Sequence, residues 1–223
     1  VLRMLELAQR QHGKLAWKTL FAPAIELAER GFPVSPRLHK LLALDQHIRK
    51  DPAAAAYFYD AQLQPRPVGY LLRNPALAST LREIAAGGAD AFYQGHIGRD
   101  IAAKVRSHPT NPGLLSAQDI AGYRPKLRTP VCSDYRAYTV CGMPPPSSGG
   151  IAVAQMLGMF ETRDMRALAP GDGVPGPDAV HLFAEVGRLA YADRNRYAAD
   201  TDFVPLPGRG LPVGDLLHAL TRG

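Results

Sequence analysis

Apolar side chains recur at spacings of three and four through the first part of the chain, as they do along one face of a helix. Trp17, Leu20, Phe21, Ala24, Leu27 and Ala28 form one such face. Gly31 stands where a helix C-cap falls, and Pro33 and Pro36 enforce a break. Leu38, Leu41, Leu42 and Ile48 predict a second helix, and Asp51-Pro52 permits another start. Residues 57–75 are punctuated by Pro65, Pro67, Gly69 and Pro75, which predicts an irregular crossover with a short extended piece at Leu63 or Leu71. Asn74-Pro75 reads as an N-cap with proline at the first helical position, opening a helix over 76–86 that stops at Gly87-Gly88. Two shorter helical pieces follow at 89–93 and 97–106. Ser116 with Asp119 three residues on approximates a capping box.

The pattern then changes. Residues 130–143 carry β-branched and tyrosine side chains around a turn and predict a pair of strands. An apolar run at 150–161 predicts a helix with Ile151, Val153, Met156, Leu157, Met159 and Phe160 around most of its circumference, so it needs cover on several sides. After a glycine and proline loop at 170–177, Asp178 is expected to cap a long helix whose face is Leu182, Phe183, Val186, Leu189 and Ala190. A loop at 206–214 and a short helix at 215–220 complete the pattern. The fold class is mainly α with a small β element (α+β). One partial domain over 1–223 is expected, with a helical lobe over about 1–125 and a β-hairpin with helices over about 126–223.

Composition removes several function classes. A hydrophobic fraction of 46% and a charged fraction of 21% are those of a globular core rather than a disordered chain. No apolar run approaches a bilayer span. The start, Val1-Leu-Arg-Met-Leu-Glu-Leu, alternates charge with apolar residues and is no signal peptide. Net charge is +6, but the lysines and arginines are dispersed, with no basic run longer than two and no aromatic ladder. That argues against a nucleic-acid partner. Cys132 and Cys141 have no metal-ligand spacing. They face each other across the hairpin only if Arg136-Ala137 form the turn; with Tyr135-Arg136 in the turn they fall out of register. Two unpaired buried thiols are the expected state.

Candidate chemistry centres on Pro144-Pro145-Pro146-Ser147-Ser148-Gly149-Gly150. Three prolines hold the approach extended, two glycines free the turn, and a helix N-terminus follows. Backbone N–H groups there could face an anion or oxyanion. The same glycines could instead serve close packing alone. Ser147 and Ser148 lack a Gly-x-Ser-x-Gly elbow and an assignable base, so turn-capping by their hydroxyls is expected rather than nucleophilic attack. Asp193 and Arg194 at the end of the long helix could anchor a neighbouring segment or form a solvated last turn. His39 and His47, eight apart on one helix face, lack a third ligand. Tyr57-Phe58-Tyr59 reads as core, and Gly208-Arg209-Gly210 is too short for a phosphate loop. No metal, cofactor or catalytic residue is expected within this chain.

Pro144-Pro145-Pro146-Ser147-Ser148-Gly149-Gly150 after Tyr135-Arg136-Ala137-Tyr138 resembles a motif of the γ-glutamyltranspeptidase family. Four further stretches resemble the family in the same order. They are Pro23-Ala24-Ile25-Glu26-Leu27-Ala28-Glu29-Arg30-Gly31-Phe32-Pro33-Val34-Ser35, Gly88-Ala89-Asp90-Ala91-Phe92-Tyr93-Gln94-Gly95, Leu115-Ser116-Ala117-Gln118-Asp119-Ile120-Ala121-Gly122-Tyr123 and Tyr191-Ala192-Asp193-Arg194. The resemblance spans residues 1 to about 207. It implies the later part of the large subunit of an N-terminal-nucleophile hydrolase with an αββα fold. In that family a precursor cuts itself, and the new N-terminal threonine of the small subunit is the nucleophile. The threonine is expected downstream of this chain and the carboxylate-gripping arginine upstream. The implied partners are the small catalytic subunit and a γ-glutamyl small molecule such as glutathione. The implied location is periplasmic or secreted. Ser147, Ser148, Gly149 and Gly150 are then the closest approach to the active site, Asp193 and Arg194 a structural anchor, and the chain alone inactive and prone to self-association. A β-lactam-type acylase on the same scaffold and a non-catalytic helical interaction module remain alternatives.

Overall fold

The computed structural model describes residues 1–205; the expected loop at 206–214, the helix at 215–220 and Gly208-Arg209-Gly210 lie outside the described residues. The chain divides into two compact units, Val1–Pro125 and a second beginning at Lys126.

The first unit is helical. Helix α1 (Leu2–His12) is followed by a tight 3-10 turn at Trp17–Phe21 that runs into α2 (Ala22–Arg30). The expected apolar face is therefore split between two helix types. Trp17 buries its ring edge by donating Nε1–H to the Ile84 carbonyl at 3.1 Å. Gly31 ends α2 at φ 88°, and a β-carbon there would meet the Leu72 carbonyl oxygen at 2.6 Å, so the position requires glycine. The chain then pairs β1 (Phe32–Pro33) antiparallel with β2 (Leu71–Leu72). Leu71 thus supplies the extended piece, whereas Leu63 sits in a turn at φ 57°. Val34 and Leu72 are fully buried beside this ribbon.

Helix α3 (Pro36–Leu44) is capped by Ser35, whose Oγ accepts from the Leu38 N–H. It stops before Ile48, contrary to the sequence expectation. The reason is Asp45, whose Oδ1 accepts from the N–H groups of His47 and Ile48 at 2.8 and 2.5 Å and turns the chain. His39 and His47 consequently share no helix face. Asp51 caps α4 (Pro52–Phe58) through the Ala54 N–H, and that bond, followed by the one from Lys104, holds its carboxyl below the usual range. Tyr59 is completely buried and donates to the Leu42 carbonyl at 2.9 Å, a core role for the aromatic cluster.

Helix α5 (Pro75–Gly87) starts as expected, with Asn74 Oδ1 accepting from the Leu77 N–H at 2.9 Å. Helices α6 (Ala89–Tyr93), α7 (His96–Arg106) and α8 (Ala117–Gly122) follow in close succession. Their packed centre is Ala89, Tyr93, Ala102 and Ile120. The capping box at Ser116 and Asp119 is complete, and the Ser116 hydroxyl and N–H lower the Asp119 carboxyl pKa. Arg3 is buried across α1, donating to the Ala121 and Tyr123 carbonyls and to Asp90 while its guanidinium lies 4.5 Å from the Tyr93 ring centre. This cation ties the start of the unit to its end.

The second unit is built on a hairpin, β3 (Val131–Tyr135) and β4 (Tyr138–Gly142), with Arg136 and Ala137 between them. A two-residue turn closes on a hydrogen-bonded pair, and such rungs alternate with non-hydrogen-bonded ones. Tyr135 pairs with Tyr138, so Cys132 and Cys141 meet at a non-hydrogen-bonded rung with Cα atoms 4.1 Å apart. They form a disulfide, and both are exposed. This corrects the expectation of two buried thiols. The register is fixed from a distance: Glu161 Oε1 accepts the Arg136 N–H at 2.7 Å, and Arg136 takes φ 55°.

Helix α9 (Gly149–Glu161) packs on the hairpin through Val131, Ile151 and Ala154. Helix α10 (Pro177–Tyr197) runs back along α9, with Phe160 stacked on Phe183 at 6.4 Å. Its N-cap is Gly176 with Pro177 at the first helical position, so Asp178 lies inside the first turn and does not cap. Val186 and Ala190 are the buried residues of α10. Beyond α10, Asp200 and Asp202 accept from Arg128, and Asp202 from Lys126. The Lys126 bond is the main reason the Asp202 carboxyl titrates low. No helix among the described residues is long and apolar enough to cross a membrane.

Candidate functional site

The connector from β4 to α9 brings together the residues singled out in the sequence. Pro144 and Pro145 are buried, and the Pro145–Pro146 bond is cis. The Ser147 N–H closes a turn on the Pro144 carbonyl at 3.1 Å. Ser148 precedes the helix, and Gly149 and Gly150 are its first residues.

The two glycines differ. A β-carbon on Gly150 would lie 2.4 Å from the Met143 carbonyl oxygen, and one on Gly142 would lie 2.6 Å from the Gly150 Cα. Strand end and helix start touch there backbone to backbone, with no room for a side chain. A β-carbon on Gly149 would find only Ser147 Oγ, at 3.9 Å. Close packing therefore accounts for Gly150 and leaves Gly149 without a packing reason among the described residues.

Neither serine caps the helix, which corrects the expected role. Ser148 already has helical dihedrals, φ −89° and ψ −12°, whereas a capping side chain needs an extended backbone to reach back to the N–H groups of the first turn. Its Oγ instead accepts from Arg194 Nε at 3.2 Å. The N–H groups of Gly149, Gly150 and Ile151 have no acceptor among the described residues. They and the Arg194 guanidinium give this end of α9 a positive character. No imidazole or carboxylate among the described residues hydrogen-bonds Ser147 or Ser148, so the base a serine nucleophile needs is absent among them.

Asp193 and Arg194 both reach from α10 to α9. Asp193 Oδ2 accepts from Gln155 Nε2 at 2.8 Å, and Arg194 holds Ser148. Gln155 is only 2% exposed and its Oε1 has no partner among the described residues. Its importance was missed in the sequence, although it is the one polar residue between Ile151 and Phe160. Gly142 and Glu161 were missed as well, because their partners lie elsewhere in the sequence. Among the described residues no three His, Cys, Asp or Glu side chains are placed to hold a metal ion.

The mostly helical α+β body has the fold of the N-terminal-nucleophile hydrolase structures on which it superposes. The sequence model of the family described as Gamma-glutamyltranspeptidase matches residues 1–219, and the chain belongs to that family. The Acylase ACY 1 proenzyme of Pseudomonas sp. (strain V22) is 39% identical over 201 residues, covering 90% of this chain and 35% of that protein. The Glutathione hydrolase proenzyme of Escherichia coli (strain K12) is 35% identical over 206 residues, covering 92% of this chain and 34% of that protein. The crystal structure of Helicobacter pylori gamma-glutamyltranspeptidase superposes with a TM-score of 0.84 at 33% identity, over 99% of this chain and 62% of that one. The chain spans about a third of the length of these curated relatives.

Proposed function

We propose that this chain is the later part of the large subunit of an enzyme that transfers or hydrolyses γ-glutamyl groups, with glutathione-type amides as substrates. The chain's part is to brace the catalytic subunit, with residues 147–150 nearest the reacting centre. The nucleophile is a threonine freed at the N-terminus of the small subunit, its own α-amino group acting as base. The glutamyl-enzyme passes to water or to an amine, and preorganised donors stabilise the oxyanion. One observation carries the placement. Ser148 and Gly150 are locked to Arg194 and Met143, while among the described residues nothing covers the Gly149 face or accepts from three N–H groups of α9. The exposed disulfide fits an oxidising compartment, periplasmic or extracellular. Exposed Phe183, Val153 and Met143 fit cover by a partner, and the chain alone is expected to self-associate.

A chimera tests this reading. This chain replaces the matching stretch of the E. coli glutathione hydrolase proenzyme, and γ-glutamyl-p-nitroanilide turnover is measured beside that of the isolated chain. The expected result is a processed, active chimera and an inert chain. A folded chimera without turnover contradicts the proposal. The second reading, an acylase acting on a β-lactam-type amide, is favoured by the 39% identity to the acylase proenzyme. Release of the acyl group from such an amide by the chimera, with none of the γ-glutamyl group, would select it.

A further inference from the structure

We propose that the Cys132–Cys141 disulfide is a thiol-reactive modification site, and that its reduction unlocks the connector at 144–150. Both cysteines are exposed. The two side chains stand on the solvent face of the hairpin, opposite the face that Val131 turns to α9, so a small thiol reaches the disulfide directly from solvent.

Among the described residues, the crosslink joins the only two strands of its sheet. A two-stranded hairpin is marginal without further support. Its support here comes from α9, against which Val131 is the one fully buried hairpin side chain, and from Glu161 at the turn. The disulfide closes a short loop and so removes freedom from the opened hairpin. Its position matters because β4 ends at Gly142, one residue from Cys141 and in backbone contact with Gly150. Movement of β4 is therefore transmitted directly to the helix start.

The chemistry balances with small thiols as reductant. A thiolate attacks Cys141 Sγ, the Sγ–Sγ bond breaks, and its electron pair leaves on Cys132 Sγ, which takes a proton. A second thiolate attacks the outer sulfur of the mixed disulfide and releases Cys141 as a thiolate, which is protonated. Two small thiols are oxidised to one disulfide, and the protein disulfide is reduced to two thiols.

The test uses the purified 223-residue chain with millimolar reduced glutathione under native conditions. Thiol titration is combined with hydrogen exchange read by mass spectrometry. The expected result is two thiols freed per chain and exchange across 131–160 accelerated about tenfold or more, with 75–106 unchanged as the internal control of folding. The Cys132→Ser, Cys141→Ser double variant should show the fast pattern without any thiol. Thiols freed only in denaturant, two thiols already free after oxidising purification, or unchanged exchange at 144–160 after reduction would each overturn the proposal. So would equal acceleration at 75–106.

Discussion

Gly150 lies so close to Met143 that a β-carbon would sit 2.4 Å from the Met143 carbonyl oxygen. Real β-carbons do not approach backbone oxygens that closely, and neither partner is a flexible side chain. Gly150→Ala should therefore push α9 off the hairpin and cost about 1–3 kcal/mol, as overpacking does. Denaturant unfolding of the second unit checks this; an unchanged midpoint would show that the contact yields freely.

The Gln155–Asp193 bond makes an asymmetric prediction. Asp193→Ala strands both polar atoms of a side chain that is 2% exposed, and should cost about 1–3 kcal/mol. Gln155→Met removes the buried polar atoms at nearly constant shape and should cost less. Thermal unfolding of both variants and the double variant reads the coupling. Equal costs that add without interaction would show that the bond does not hold α10 to α9.

His96 sets a pH dependence in the first unit. Its Nε2 lies 2.9 Å from Glu83 on α5 and its Nδ1 3.2 Å from Asp100 on α7. The bond to Glu83, and then that to Asp100, raises its pKa above the ordinary imidazole value. Because the folded pKa is the higher one, the stabilisation is fully present below the unfolded value near ~6.5 and is lost as pH rises through the raised value. NMR titration should find His96 above its value in the Glu83→Gln variant. An identical or lower value would contradict the clamp between α5 and α7.

Local rules carried most of the helical unit. Asp51, Asn74 and Ser116 cap where the sequence places helix starts, because capping is a contact between near neighbours, and Ser35 caps a start that the sequence marked only by the break at Pro36. Distant contacts were illegible. The disulfide depends on a hairpin register held by Glu161, twenty-five residues from Arg136. The non-capping Ser148 depends on Arg194, forty-six residues away. Asp45 ended α3 by a turn that the apolar spacing could not reveal, since Ile48 kept the helical period while the backbone left it. The connector was legible as a motif, but its division into a packed Gly150 and an open Gly149 exists only in three dimensions.

That division gives the most direct measurement. Gly149→Ala meets nothing nearer than Ser147 Oγ at 3.9 Å, and alanine suits a helix better than glycine, so the isolated chain should unfold at the same temperature or higher. If the open face of Gly149 meets the catalytic part of the assembled enzyme, the same substitution in the E. coli chimera should lower kcat/KM for γ-glutamyl-p-nitroanilide about tenfold or more. Full activity of the Gly149→Ala chimera, with the chain equally stable, would contradict the placement of residues 147–150 beside the reacting centre.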